Sequence, residues 1–521
     1  MWSRTASNSP LAAWGKAPPN AASISPISLH SRDLAFLYRC EYYMGYIFDR
    51  PVGNEVIVYI PRIQEQNLDR WWADPGRRPL VLRGARQVGK STLVRNFAAT
   101  RHLRLAEINL EDHLTALRPA FEDGNLATIL TACSRVTGVD LTSGYEQTLL
   151  FLDEIQTVPA ALKSLRYFYE KLPRLAVIAA GSVLEFALTD TAVSMPVGRV
   201  TYLFLPPITF KEFLVASDRS DLTNVITAAH PGLPQSLTHN QHDQLLQLMR
   251  RFLIVGGMPL AVTESLTRST VPNAYASQSR FQSDLLNSYR DDIQKYPATK
   301  HIREVVREVF DRSPAQIGVK VKYSRLAPEQ PARDVKKALG LLLDAGLLHP
   351  VFHSDAQGIP LGATEDRGLL KLYFVDTGLL LNQLGITTQR DLPAEDIQLV
   401  NSGVIAEQFV AQELLAASID EKKPQLHYWL RERKTNNAEV DFVLGCGPHV
   451  VPVEVKAGPY GHMKSLWEYC RSHRPTTVVR FDTNLPASIE HVVLTASGPA
   501  PTKVLSLPLY MASEARRLIS P

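Results

Sequence analysis

Apolar residues begin to recur in a regular pattern near Val56. From Ile60 to Trp72 they alternate with polar residues at helical spacing, which predicts a two-faced helix. Arg78–Leu82 is a short apolar run followed by a glycine, as expected of a buried strand. Leu105–Leu110, Thr148–Leu152 and Ala176–Ala180 have the same character. Helical patterns lie between them, among them Thr92–Ala98 and Ala160–Leu172. Strands that alternate with helices predict an α/β fold, a parallel sheet with helices on both faces.

The pattern then changes. Thr223–Arg290 reads as mostly helical, with one break at Gly256-Gly257-Met258-Pro259, and is expected to form a lid. Ile302–Leu348 gives helices and a turn, and Pro350–Val375 gives strands around a loop. Helix, helix and hairpin predict a winged-helix-like unit. A last α/β unit opens with the helix Gly403–Ala417. Strands follow at Leu426–Arg431, Ala438–Gly445 and His449–Val455, then a helix at Met463–Arg471 and a strand at Thr477–Phe481.

Composition narrows the class. A chain of 521 residues exceeds one hydrophobic core, so two to four domains are expected. A formal charge of +4 is too mild to argue for nucleic acid by itself. Cys40, Cys133, Cys446 and Cys470 are scattered, which excludes a CxxC-type zinc site or a disulfide framework and fits a cytoplasmic protein. No apolar run is long enough to predict a membrane span. Ser7–Pro26 is rich in Ser, Ala and Pro and reads as disordered, not as a secretory signal.

Gly84-Ala85-Arg86-Gln87-Val88-Gly89-Lys90-Ser91 fits G-x-x-x-x-G-K-[ST] in full. The glycines let backbone N–H groups face phosphates, and the helix that continues through Thr92 adds its positive end. Lys90 is expected on the β- and γ-phosphates of ATP, and the Ser91 hydroxyl on Mg²⁺. A chance glycine loop is the alternative, but a strand before it and a helix after it are the confirming context. Leu149-Leu150-Phe151-Leu152-Asp153-Glu154 is an apolar strand ending in two carboxylates. Asp153 is expected to hold Mg²⁺ through water, and Glu154 to polarise the attacking water. Ser182, after the strand Ala176–Ala180, is a candidate sensor of the γ-phosphate. Arg199 is a candidate source of positive charge, for its own site or a neighbour's; a surface ion pair is the plainer alternative.

A second constellation lies near the C-terminus. Asp441 stands in Ala-Glu-Val-Asp-Phe-Val-Leu, with twelve residues between it and Glu454 in Val-Pro-Val-Glu-Val-Lys. Strand periodicity puts Glu454 and Lys456 on one face. Two carboxylates and a lysine can hold a divalent metal and activate water against a phosphodiester, with Glu407 on the preceding helix as a further carboxylate. Two solvated strands of alternating charge, or an inactive relic, would give the same pattern.

Taken together, these stretches resemble bacterial and archaeal AAA-type ATPases that carry a C-terminal domain of unknown function similar to PD-(D/E)xK nucleases. The resemblance also rests on Leu205–Phe213, Gly256–Pro259, Lys371–Leu379 and Ala406–Val410. It implies an AAA-like domain over 46–220, a helical lid over 221–300, a winged-helix-like domain over 301–390 and a nuclease-like domain over 395–515. Residues 1–45 are expected to be a disordered tail or an over-extended start. The expected partners are ATP, DNA or RNA, or a protein partner, with no membrane. Three functions stay open: an ATP-driven enzyme on nucleic acid, an ATP-dependent switch that binds a partner without cutting, and an ATPase with a protein-binding tail.

Overall fold

The computed structural model describes residues 59–181, 198–230, 237–267, 274–296, 298–386, 402–418, 424–432 and 437–519. The expected tail over 1–45 and Ser182 lie outside them.

The N-terminal half is built on a five-stranded parallel sheet of order β2-β3-β4-β1-β5. Its strands are β1 (Leu80–Arg83), β2 (Arg104–Asn109), β3 (Thr148–Asp153), β4 (Ala176–Ala180) and β5 (Thr201–Phe204). The central strands β3 and β4 are buried along nearly their whole length because both faces are covered. Leu80 and Leu82 face one core, with Leu149, Phe151 and Ile178. Val81 faces the other, with Leu150, Leu152 and Val177. Helices α1 (Glu65–Ala73) and α2 (Lys90–Thr100) lie on the first face. Helices α3 (Leu114–Asp123), α4 (Leu126–Thr137) and α5 (Pro159–Lys171) cover the second.

The chain then runs through α6 (Phe210–Ala216), α7 (Ser220–Ala228), α8 (His239–Val255), α9 (Pro259–Thr267) and α10 (Ala274–Asp292). The expected break between α8 and α9 is real: Gly256 has φ 74° and ends α8. Next come α11 (Lys300–Arg312), α12 (Tyr323–Leu326), α13 (Ala332–Asp344), and the hairpin β6 (Leu348–Ser354) and β7 (Glu365–Phe374). The elements appear in the expected order, but the hairpin does not stand apart. β6 pairs in parallel with β8 (Leu426–Arg431), so the hairpin forms one edge of an eight-stranded mixed sheet, order β12-β13-β11-β10-β9-β8-β6-β7. The other strands are β9 (Ala438–Cys446), β10 (His449–Val455), β11 (Thr477–Asp482), β12 (Ala487–Thr495) and β13 (Gly498–Pro508). Helices α14 (Thr377–Gln383), α15 (Ser402–Ala417), α16 (Lys464–His473) and α17 (Ala515–Ile519) complete the chain. One apolar core runs without a break from Ile60 through Phe252, Phe310 and Phe409 to Leu518.

Candidate functional site

Parallel strands deliver their following loops to one edge of the sheet, and two of the predicted site segments meet there. β1 runs into the loop Gly84–Gly89, from which α2 starts at Lys90. The loop needs unusual backbone conformations: Gly84, Gln87 and Gly89 have φ of 150°, 64° and 94°. Gly84 also lies against the chain after β5, where an added Cβ would stand 2.3 Å from the Leu205 carbonyl oxygen. Lys90 is buried and curls back on the loop, donating to the Gly84 and Ala85 carbonyls at 3.0 and 2.9 Å. Burial lowers its pKa to about 8, against the opposing pull of Glu154 and Asp153. The Ser91 hydroxyl donates to Asp153 Oδ2 at 2.6 Å. Glu154, the next residue, has φ 48° and accepts from Gln156 Nε2 at 2.6 Å. The loop thus presents backbone N–H groups, an ammonium, a hydroxyl and two carboxylates at one sheet edge, a donor set that fits a nucleotide phosphate chain with Mg²⁺.

Residues 76–214 match the family model of an AAA domain. The AAA domain is followed by matches to two domains of unknown function, DUF8612 over 246–390 and DUF4143 over 402–495. No curated protein matches the chain. Among solved structures, a variant of Thermotoga maritima RuvB is 17% identical with a TM-score of 0.27, covering 57% of this chain and 89% of that one. The Thermotoga maritima RuvB Holliday junction branch migration motor is 18% identical with a TM-score of 0.24, over 56% and 89%. The Aeropyrum pernix ORC2 protein, in ADPNP–ADP complexes, is 14% identical with a TM-score of 0.23, over 66% and 97%.

Arg199 does not join this edge. It precedes β5, whose first residue, Thr201, pairs with Leu80 at the start of β1. It therefore lies at the opposite end of the strands from the Lys90 loop, about six residues or roughly 20 Å away along the sheet. Its guanidinium pairs with Glu170 at 3.2 Å on the exposed surface. Service to its own site is thereby excluded on geometry. Residues missed by sequence reasoning brace the loop instead. Arg62, buried, donates to the Val88 carbonyl at 2.9 Å and pairs with buried Glu212 at 3.2 Å. Tyr289 Oη donates to the Arg86 carbonyl at 3.0 Å, and Arg86 pairs with Asp292 at 2.6 Å, so α10 grips the AAA domain's loop. A cleft behind Gly84 and Ala85, lined also by Asp344 and by Gln412, Leu415 and Ala416, lies between the domain and the ends of α13 and α15.

The C-terminal constellation also assembles, with additions. Asp441 sits where four residues of β9, Val440–Val443, stand opposite three of β8, His427–Trp429. Such a bulge re-aims a side chain. Asp441 Oδ2 accepts from Val455 N at 2.7 Å, beside Glu454. Lys456 Nζ lies 2.6 Å from Glu454 Oε1. Burial and the neighbouring Asp441 raise the pKa of Glu454; burial first, then Asp441, raises that of Glu407. Glu407 accepts from Tyr373 Oη at 3.2 Å. Two unpredicted residues complete the cluster. Lys371 of β7 pairs with Glu439 and reaches Glu407 Oε2 at 3.8 Å and Asp441 Oδ1 at 4.0 Å. A lysine inside the apolar run Leu369–Phe374 was the available signal. Among the described residues, no three carboxylate, histidine or cysteine side chains converge closely enough to hold a metal by themselves.

Proposed function

We propose that the AAA domain binds and hydrolyses ATP·Mg²⁺ and couples its nucleotide state to the C-terminal acid cluster, which acts on nucleic acid. The observation that carries the ATP reading is the contact of Ser91 with Asp153 beside the buried Lys90. Ser91 and Asp153 would hold Mg²⁺, Lys90 would turn from its loop carbonyls to the phosphates, and Glu154 would orient the water. The segment Gly84–Thr92 would cradle the phosphates. Ser182 and Arg199 are kept as a sensor and as a donor to a neighbouring copy's site.

For the acid cluster, the supporting observation is an unpartnered oxygen. Glu454 Oε2 is buried without a hydrogen-bond partner, next to Asp441 and Lys456. A divalent cation would satisfy it; Asp441 and Glu454 would be the ligands, Glu407 a further carboxylate, and Lys456 the group next to the attacking water. Incubation of the full chain with plasmid, ATP and Mg²⁺ or Mn²⁺ tests this. Cutting is expected, lost in Lys456→Ala and Asp441→Asn, with ATP turnover intact in both. A second reading, a switch that binds a partner without cutting, is favoured by one observation: a lysine ammonium already stands among the carboxylates. ATP turnover with no cut in either metal would select it.

A further inference from the structure

Lys371 is the least expected member of the acid cluster. It comes from β7, outside the residues 402–495 that match the C-terminal family model. Its side chain is 1% exposed, so it cannot reach a solvent-borne ligand without rearrangement. Glu439, Glu407 and Asp441 surround its ammonium and compensate its charge. It also lies over the Tyr428 ring, 5.4 Å from its centroid, which further favours a cation.

Charge counting shows what this cation does. The cluster contains four carboxylates, Glu407, Glu439, Asp441 and Glu454, and two ammonium groups, Lys371 and Lys456. With every group ionised, two negative charges stay uncompensated, and Glu454 Oε2 has no partner. Glu454 is 6% exposed, so water does not make good that loss. Lys371 touches only Glu439 closely and stands off from Glu407 and Asp441 at 3.8 and 4.0 Å. Mg²⁺ and Mn²⁺ draw oxygens in to about 2.0–2.2 Å. Carboxylates spaced around an ammonium at nearly twice that distance cannot close on an ion as well.

We propose that Lys371 is a built-in cation standing in a metal position of this cluster, and that removing it opens an additional site for a hard divalent cation between Glu407 and Asp441. The ligand class is Mg²⁺ or Mn²⁺, because every available ligand is a carboxylate oxygen. In the intact chain the lysine limits the cluster to one exchangeable ion, at Asp441 and Glu454. The inference rests on reading the cluster as a metal site.

The test counts Mn²⁺ bound to the full chain without nucleotide, by paramagnetic resonance of the free ion. The ATP site is unchanged in all variants and cancels. Lys371→Met is expected to bind one more Mn²⁺ per chain than the parent, and Lys371→Arg the same number as the parent. Glu407→Gln in the Lys371→Met background is expected to remove the added ion alone, and Asp441→Asn the added ion together with the one shared with Glu454. Mn²⁺ should raise the melting temperature of Lys371→Met more than that of the parent, since an ion bound only to the folded state stabilises it. If Lys371→Met does not fold without metal, the pair Lys371→Met with Glu439→Gln removes one negative charge along with the positive one and supports the same count. A variant that binds no more ions than the parent, with no larger thermal shift, overturns the inference. A parent whose Mn²⁺ count Asp441→Asn leaves unchanged, the ion at the ATP site being common to both, overturns instead the metal reading of the cluster on which the inference rests.

Discussion

Lys90 is folded onto its own loop, and that arrangement has a consequence for nucleotide binding. In the free protein burial holds its pKa near 8, whereas phosphates would favour the charged form. ATP affinity should therefore be level below about pH 8 and fall roughly tenfold per unit above it, as one proton must be taken up on binding. Titration of a fluorescent ATP analogue across this range, with proton uptake read by calorimetry in two buffers, checks it. The P-loop was legible because its local grammar is complete: strand, glycines, lysine and helix follow one another without help from distant residues. Lys371 was not, because its meaning comes from Glu407, Glu439 and Asp441, which only the folded sheet brings to it. Asp441 was found, but strand alternation alone gave no sign of the bulge that turns it.

At the scale of elements, α15 is the part that joins the two sites. It carries Glu407 at the acid cluster and, less than two turns on, Glu413, which accepts from Phe210 N at 2.9 Å where α6 leaves the AAA domain. Between them Gln408 donates to and accepts from the Phe374 backbone at 2.8 and 2.7 Å, and Gln412 accepts from Thr377 N at 3.1 Å. Burial raises the Glu413 pKa from 4.5 to about 8. A carboxyl raised on folding contributes stability that is whole below pH 4.5 and lost as pH rises through about 8. Glu413→Gln keeps the acceptor and cannot ionise, so its melting temperature should fall less than the parent's between those limits. Thermal scans at several pH values decide it; parallel curves would show that Glu413 does not carry the slope. A second joint is the turn after α8. Gly257 N donates to Asp376, and Ile208 N donates to the Gly257 carbonyl at 2.7 Å. A Cβ on Gly257 would meet the Ile208 carbonyl oxygen at 2.2 Å, a backbone contact that cannot yield cheaply. Gly257→Ala should therefore lower stability by about 1–3 kcal/mol through the broken bonds, measured by urea unfolding. Strands were legible where both faces are buried, as in β3 and β4. β12 and β13 were not: Ile489, Val492 and Leu494 are exposed, and Pro499 and Pro501 argue against a strand.

In the whole molecule, the winged-helix-like and nuclease-like units expected from sequence share one sheet, and one core runs from the AAA domain through both. β6 and β7 lie in the span of one family match and β8 to β12 in another, yet all belong to the same sheet, joined by the pairing of β6 with β8. A chain ended at residue 386 would expose the β6 edge and the apolar side of α14, which α15 covers. It should melt at a lower temperature than the full chain and aggregate, whereas a hinge between independent domains would leave the AAA transition unchanged. Among the described residues, no helix is long and apolar enough to cross a membrane. The central claim, that this AAA domain hydrolyses ATP at the Lys90–Ser91–Asp153–Glu154 edge, is tested most directly by steady-state phosphate release from the full chain with ATP and Mg²⁺. The parent should turn over. Lys90→Ala should lose both binding and turnover, and Glu154→Gln should bind ATP while releasing phosphate about 10²–10⁴-fold more slowly. Parent turnover unchanged in both variants would contradict the account.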